Sequence, residues 1–235
     1  EIDYKSTNEG VMHACGHDAH IAILLGVAKI IKSMEEELKG NVKFFFQPAE
    51  ETIGGAERMI KEGCLEEPYV DVVLGLHVSP NIDTGVVQLK YGKVNASSDT
   101  IIIVVKGKSA HGANPEIAVD PVVISANIIM ALQTIVSRNI SPQEATVFTV
   151  GSIHGGTKGN IIPEEVTMEC ILRTLDEDIR KYFKERIISI VEDISRAYGG
   201  YGQVIIEEGY PSLINNDEIV DSVVEVLEEV VGKAN

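Results

Sequence analysis

The sequence has no tryptophan, few aromatic residues of any kind, three cysteines, and only 20 basic residues against 36 acidic ones in 235 positions. Each shortage excludes something. Cys15, Cys64 and Cys170 are an odd number without regular spacing, so a disulfide framework is not expected. A formal net charge of −16 opposes a phosphate backbone and an anionic lipid surface alike, so neither nucleic acid nor membrane is expected as a partner. No run approaches the length of about 18 uninterrupted apolar residues that a spanning helix needs. The opening residues, Glu1 to Lys5, form neither a signal nor a transit peptide, which leaves the cytoplasm as the default expectation. A Gly-x-Ser-x-Gly elbow is missing, which argues against a serine hydrolase. The glycine-rich segment Gly151 to Lys158 is no phosphate loop, because Thr157 separates Gly156 from Lys158. The chain also lacks an initiating methionine and stops just after a helical pattern, so a fragment of a longer protein is expected.

What is present is ordinary in bulk and concentrated in one place. Hydrophobic residues make up 44% and charged residues 24%, a globular composition, and the length suits one or two domains. The stretch Met12-His13-Ala14-Cys15-Gly16-His17-Asp18-Ala19-His20 holds three of the six histidines, directly ahead of the apolar run Ile21 to Leu25. Imidazole, thiol and carboxylate are the nitrogen, sulfur and oxygen donors of zinc, manganese, cobalt and nickel, so this cluster reads as a metal-ligand signature. Cys64 and Cys170 have no such company and read as small buried hydrophobes.

Periodicity then divides the chain. Apolar residues at intervals of three and four predict a helix from Asp18 to about Leu38, and a second helix is expected over 55–62. Continuous apolar runs at 41–47, 70–77 and 85–91 read as buried strands, so residues 1–95 are expected to form an α/β catalytic domain with a mostly parallel sheet. From Asp99 the order becomes strand 99–106, helix 120–138, strands 145–152 and 165–174, helix 176–198 and strand 203–207. That is the β-α-β-β-α-β order of a ferredoxin-like α+β domain, expected over 96–209 as an insertion. Residues 210–235, with a helix over 216–231, are expected to return to the first domain.

In a parallel α/β sheet, ligands bind beyond the carboxyl ends of the strands. Glu50 and Glu51 follow one expected strand, His77 ends the next, and Cys15 and His17 precede a helix, so all are expected at one sheet edge. A Glu-Glu pair on its own suits a helix N-terminus equally well. Beside Cys15, His17 and His77, one carboxylate can ligate a metal while the other takes a proton from metal-bound water. His20 reads chiefly as helix packing, with orientation of a ligand as its alternative. Asp18 suits a helix cap or an acceptor behind a ligand. His13 and His154 read as structural or solvent-facing.

Five segments together carry a family resemblance: 12–20, Gln47-Pro48-Ala49-Glu50-Glu51, Gly75-Leu76-His77-Val78, His111-Gly112-Ala113-Asn114-Pro115, and the run Gly155 to Pro163. In this order and spacing the chain resembles the aminoacylase and carboxypeptidase superfamily of two-metal hydrolases. Within it, the likeness is to the amidohydrolase branch of auxin-conjugate hydrolases, hippurate hydrolases and N-acyl-amino-acid deacylases. The resemblance implies a metallohydrolase catalytic domain with an inserted lid and dimerisation domain, and cleavage of an N-acyl amino acid by a homodimer or higher homo-oligomer. It also implies two divalent ions (Zn, Mn, Co or Ni) held by Cys15, His17, Glu51 and His77, with Glu50 as the base for the bridging water. His111 matches a histidine that stabilises the oxyanion, and Asn160 and Arg173 match positions that hold the substrate carboxylate. The family's early aspartate and late histidine ligands fall outside this sequence. The alternatives are a dipeptidase or carboxypeptidase of the same superfamily, or a metal-binding, dimerising fragment without activity.

Overall fold

The computed structural model describes residues 3–52 and 54–232. It divides into two compact units, one of residues 1–87 with 231–235 and the other of residues 88–230.

In the first unit, α1 (His17–Ser33) and α2 (Gly55–Lys61) are the regular elements, joined and followed by irregular segments. The first turn of α1 carries Asp18 and its last turn Lys32, each at the end where its charge complements the helix dipole. No residue of α1 is buried, and Ile21, Leu25 and Ile30 are more than half or half exposed, at 50%, 57% and 62%. The apolar runs at 41–47, 70–77 and 85–91, expected as strands, form no ladder among the described residues. Val72, Val73, Leu74 and Leu76 lie exposed instead. A parallel strand exists only through its neighbours, which must supply both its hydrogen bonds and the cover for its faces.

The second unit contains β1 (Gly92–Asn95), β2 (Asp99–Lys106), β3 (Ala110–His111), α3 (Pro121–Thr134), β4 (Thr146–Gly155), β5 (Ile161–Ile162), β6 (Glu165–Thr174), α4 (Glu177–Ala197), β7 (Tyr201–Glu208), β8 (Leu213–Asn215) and α5 (Asp217–Val231). A four-stranded antiparallel sheet runs in the order β4-β6-β2-β7, so each helical crossover skips a strand, as in a ferredoxin-like unit. Strict alternation in β2 and β6 sends Ile101, Ile103 and Val105, and Val166, Met168, Cys170 and Leu172, to one face. There they meet Ile124, Ile128 and Leu132 of α3 and Phe183, Ile187 and Val191 of α4 in a closed core. The Phe148 and Phe183 rings pack with centroids 5.4 Å apart.

Asp120 and Asp176 cap α3 and α4, each accepting from two backbone N–H groups of the first turn. A π turn over Ile135–Asn139 extends α3, and the segment Pro121–Asn139 is long and apolar enough to cross a membrane. Its Ile124, Ile128, Leu132 and Ile135 are buried in this core, which accounts for its apolar face. β1 pairs with β8, so residues 92–95 and 213–215 form a short antiparallel ladder.

Candidate metal centre

The local chain explains how the donors of the first unit come together. Gly16 caps α1 with φ 72° and ψ 20°, a left-handed conformation costly for other residues. A Cβ at this position would lie 2.4 Å from Cγ2 of Val78, so the turn before α1 rests directly on the residue after His77. The Glu50-Glu51 loop is held at both ends. Thr52 and Gly54 donate from their backbone to the Ala49 carbonyl, and a Cβ on Gly55 would strike the Pro48 carbonyl oxygen at 2.1 Å.

Five side chains converge as a result. Sγ of Cys15 lies 3.3 Å from Nε2 of His77, and Nε2 of His17 lies 3.4 Å from Oε2 of Glu50 and 3.4 Å from Oε1 of Glu51. Two groups of three donors can be drawn, Cys15-His17-His77 and His17-Glu50-Glu51, with the ligand atoms of each within 4.8 Å of one another. His17 belongs to both. A tetrahedral ion at the usual 2.0–2.3 Å from its ligands needs donor atoms about 3.3–3.8 Å apart, and the three measured separations fall in that range or at its edge. The donor chemistry and spacing therefore fit a transition-metal site.

Hydrogen bonds fix the imidazole protons. Nδ1 of His77 donates to the Val78 carbonyl at 2.6 Å, which leaves Nε2 with its lone pair toward Cys15. Nε2 of His20 accepts from the Val78 N–H at 3.0 Å. The ring of His20 stands edge-on to that of His77, with centroids 4.5 Å apart at 68°, and lies 5.7 Å from that of His17. Partial burial, then the neighbouring His77 and His17, lower the pKa of His20, in keeping with a neutral ring that accepts a hydrogen bond. Burial, then the Glu51 and Glu50 carboxylates, raise the Cys15 thiol. A bound divalent cation reverses that balance, because it replaces the proton that the carboxylates retain. Asp18 is exposed in the first turn of α1, and His13 is exposed as well.

The remaining expected residues belong to the second unit. β3 pairs with β5, setting His111 opposite Ile161, and the Gly112 N–H donates to the Asn160 carbonyl at 2.8 Å. His111 and Asn160, 49 positions apart in sequence, thus share one small hairpin-like patch. The Ala113 N–H donates to Nδ1 of His111 at 3.1 Å, so the proton of the neutral ring sits on Nε2. Arg173 is exposed on β6 between buried Leu172 and Thr174, on the face of the sheet away from α3 and α4. No hydrogen bond or ion pair links Arg173 to His111 or Asn160 among the described residues. The part played by Val78 escaped sequence reasoning, since a backbone N–H and C=O carry no residue-type signal.

A family model described as Peptidase family M20/M25/M40 matches residues 1–235. The chain is 42% identical over 218 residues to N-acetyl-L-cysteine deacetylase of Bacillus subtilis, covering 93% of this chain and 52% of that protein. It is 41% identical over 234 residues to hippurate hydrolase of Campylobacter jejuni, covering 100% and 61%. With thermostable carboxypeptidase 2 of Saccharolobus solfataricus the identity is 39% over 233 residues, covering 98% and 59%. The chain thus spans between half and two thirds of the length of these relatives. Among solved structures, a dinuclear metal binding peptidase of Bacillus subtilis from the M20 family superposes with TM-score 0.79 at 30% identity, covering 98% of this chain and 58% of that one.

Proposed function

The chain belongs to peptidase family M20/M25/M40, and from that membership we propose that the whole protein is a metal-dependent amidohydrolase cleaving the amide bond of N-acyl amino acids. The observation that carries this reading is the pair of donor groups sharing His17. Cys15, His17, His77 and Glu51 would hold two divalent ions. Ions bound there would supply a Lewis acid for the amide carbonyl and would make water acidic enough to lose a proton near neutral pH. Glu50 takes that proton on its carboxylate and hands it to the departing amine. His111, with its proton on Nε2, donates to the carbonyl oxygen as negative charge develops there. Arg173 and Asn160 bind the carboxylate of the amino acid, the guanidinium through its planar fork.

In this reading residues 96–209 form the inserted lid and dimerisation domain. The ten-residue edge strand β4 supports self-association, because an open edge invites pairing with a second copy.

A panel of acetyl-, benzoyl- and indole-acetyl-amino acids, run beside dipeptides on the full-length protein loaded with Zn, Mn, Co or Ni, tests the proposal. Hydrolysis of acyl amino acids is the expected result. Turnover confined to peptides would favour the carboxypeptidase reading, which the Saccharolobus relatives' names support.

A further inference from the structure

Three imidazoles crowd the first unit's donor cluster, and only His17 and His77 have been assigned to a metal. His20 has the same chemistry and stands between them. Its hydrogen bond decides its role. A backbone N–H can only donate, so the lone pair on Nε2 of His20 is engaged by Val78 at 3.0 Å. A carbonyl can only accept, so the Val78 C=O fixes the proton of His77 on Nδ1 at 2.6 Å and leaves Nε2 free beside Cys15. The two polar backbone groups of Val78 are therefore held by two different histidines, one on each side.

We infer that His20 is a positioning residue: it anchors the backbone of Val78 through its N–H and so steadies the residue whose carbonyl sets the reach and tautomer of His77, without itself binding metal. This rests on the metal-centre reading given above. Steric contact adds to the hydrogen bond. Gly16 and His20 lie one helical turn apart on the same side of α1, and the Gly16 N-cap leaves no room for a Cβ against Val78. The first turn of α1 thus supplies one ligand, His17, and fixes another, His77, sixty residues downstream. Metal-binding histidines are held in this way by groups bonded to their far nitrogen, and loss of such a group weakens affinity about 10- to 100-fold. Here the holding group is the Val78 carbonyl, and His20 holds the N–H of that same residue.

The test is a Co(II) titration of full-length wild type, His20→Ala and His20→Gln, following both affinity and the thiolate-to-cobalt absorption that reports Cys15. For His20→Ala the expected result is cobalt affinity lower by about 10- to 100-fold, with stoichiometry and the thiolate band at saturation retained. His20→Gln, whose side-chain oxygen reaches the same N–H, should recover most of the loss. If His20→Ala binds cobalt as wild type does, the inference is overturned. Loss of a whole equivalent of metal would make His20 a ligand instead. A Gln variant as weak as Ala would reduce it to packing. Wild type that takes up no cobalt would overturn the metal-centre reading itself, and this inference with it.

Discussion

Glu50 and Glu51 are adjacent carboxylates at the same distance from one imidazole nitrogen, yet the proposed chemistry gives them different work. Exchange of each for its amide separates the two. Glu50→Gln should keep the metal content measured by elemental analysis and lose turnover by at least about 100-fold, the lower range of a general base. Glu51→Gln should lose metal as well. Retained activity in Glu50→Gln would remove Glu50 from proton transfer. These donors were legible in the sequence because a metal site needs unusual residue types at high density, and 12–20 and 50–51 supply them. The anchoring of Val78 was illegible, because any residue with an N–H and a C=O could stand there. Gly16 lies between these cases, since its presence signals a turn but not the contact the turn makes. Gly16→Ala should lower both the melting temperature and cobalt affinity, because its φ is left-handed and its methyl group would overlap Val78. Unchanged cobalt affinity would mean that the contact with Val78 does not matter to the site.

Among the elements, two central strands of the second unit were read with their true limits. β2 and β6 match the expected 99–106 and 165–174, because alternating apolar residues mark a strand with one buried face. β3 and β5 went unread because two residues carry no period, although they bring His111 to Asn160. One polar device in the second unit lies under this pattern. Asp99 opens β2 fully buried, and both of its oxygens receive hydrogen bonds from Arg180 of α4 at 2.7 Å. Burial alone would raise the Asp99 carboxyl; hydrogen bonds from Arg180, then the charges of Arg180 and Lys184 and the Gly209 N–H, outweigh it and hold the carboxyl below its ordinary range. A folded-state pKa lowered in this way stabilises fully above the unfolded value, near 3.9, and the stabilisation is lost as pH falls through the folded value. Asp99→Asn should therefore be less stable at pH 7 by about 3–5 kcal/mol, the cost of breaking a buried pair, with the gap to wild type narrowing below about pH 4. Urea unfolding at pH 7 and pH 3.5 measures this, and a gap that does not change with pH would refute it.

For the whole molecule, the two units differ in how much they can do alone. The second buries fifteen apolar side chains in one cluster between sheet and helices, including Ile101, Ile128, Leu132, Phe183 and Ile187 at 1% exposure or less. The first leaves every residue of α1 short of burial and exposes the apolar run at 72–76. Sequence reading placed that run in a parallel sheet from its composition, which reports how strongly a segment seeks cover and not whether the cover is at hand. The chain spans 52% and 61% of two of its relatives, and the first unit by itself leaves apolar surface exposed. Expressed separately, residues 88–230 should unfold cooperatively in urea and show protected amides in β2 and β6. Residues 1–87 should give no cooperative transition and should bind a hydrophobic dye such as ANS. A cooperative, dye-free fragment 1–87 would show that the five donors are held by local turns alone, and that the metal centre needs no more of the protein than these residues to take its form.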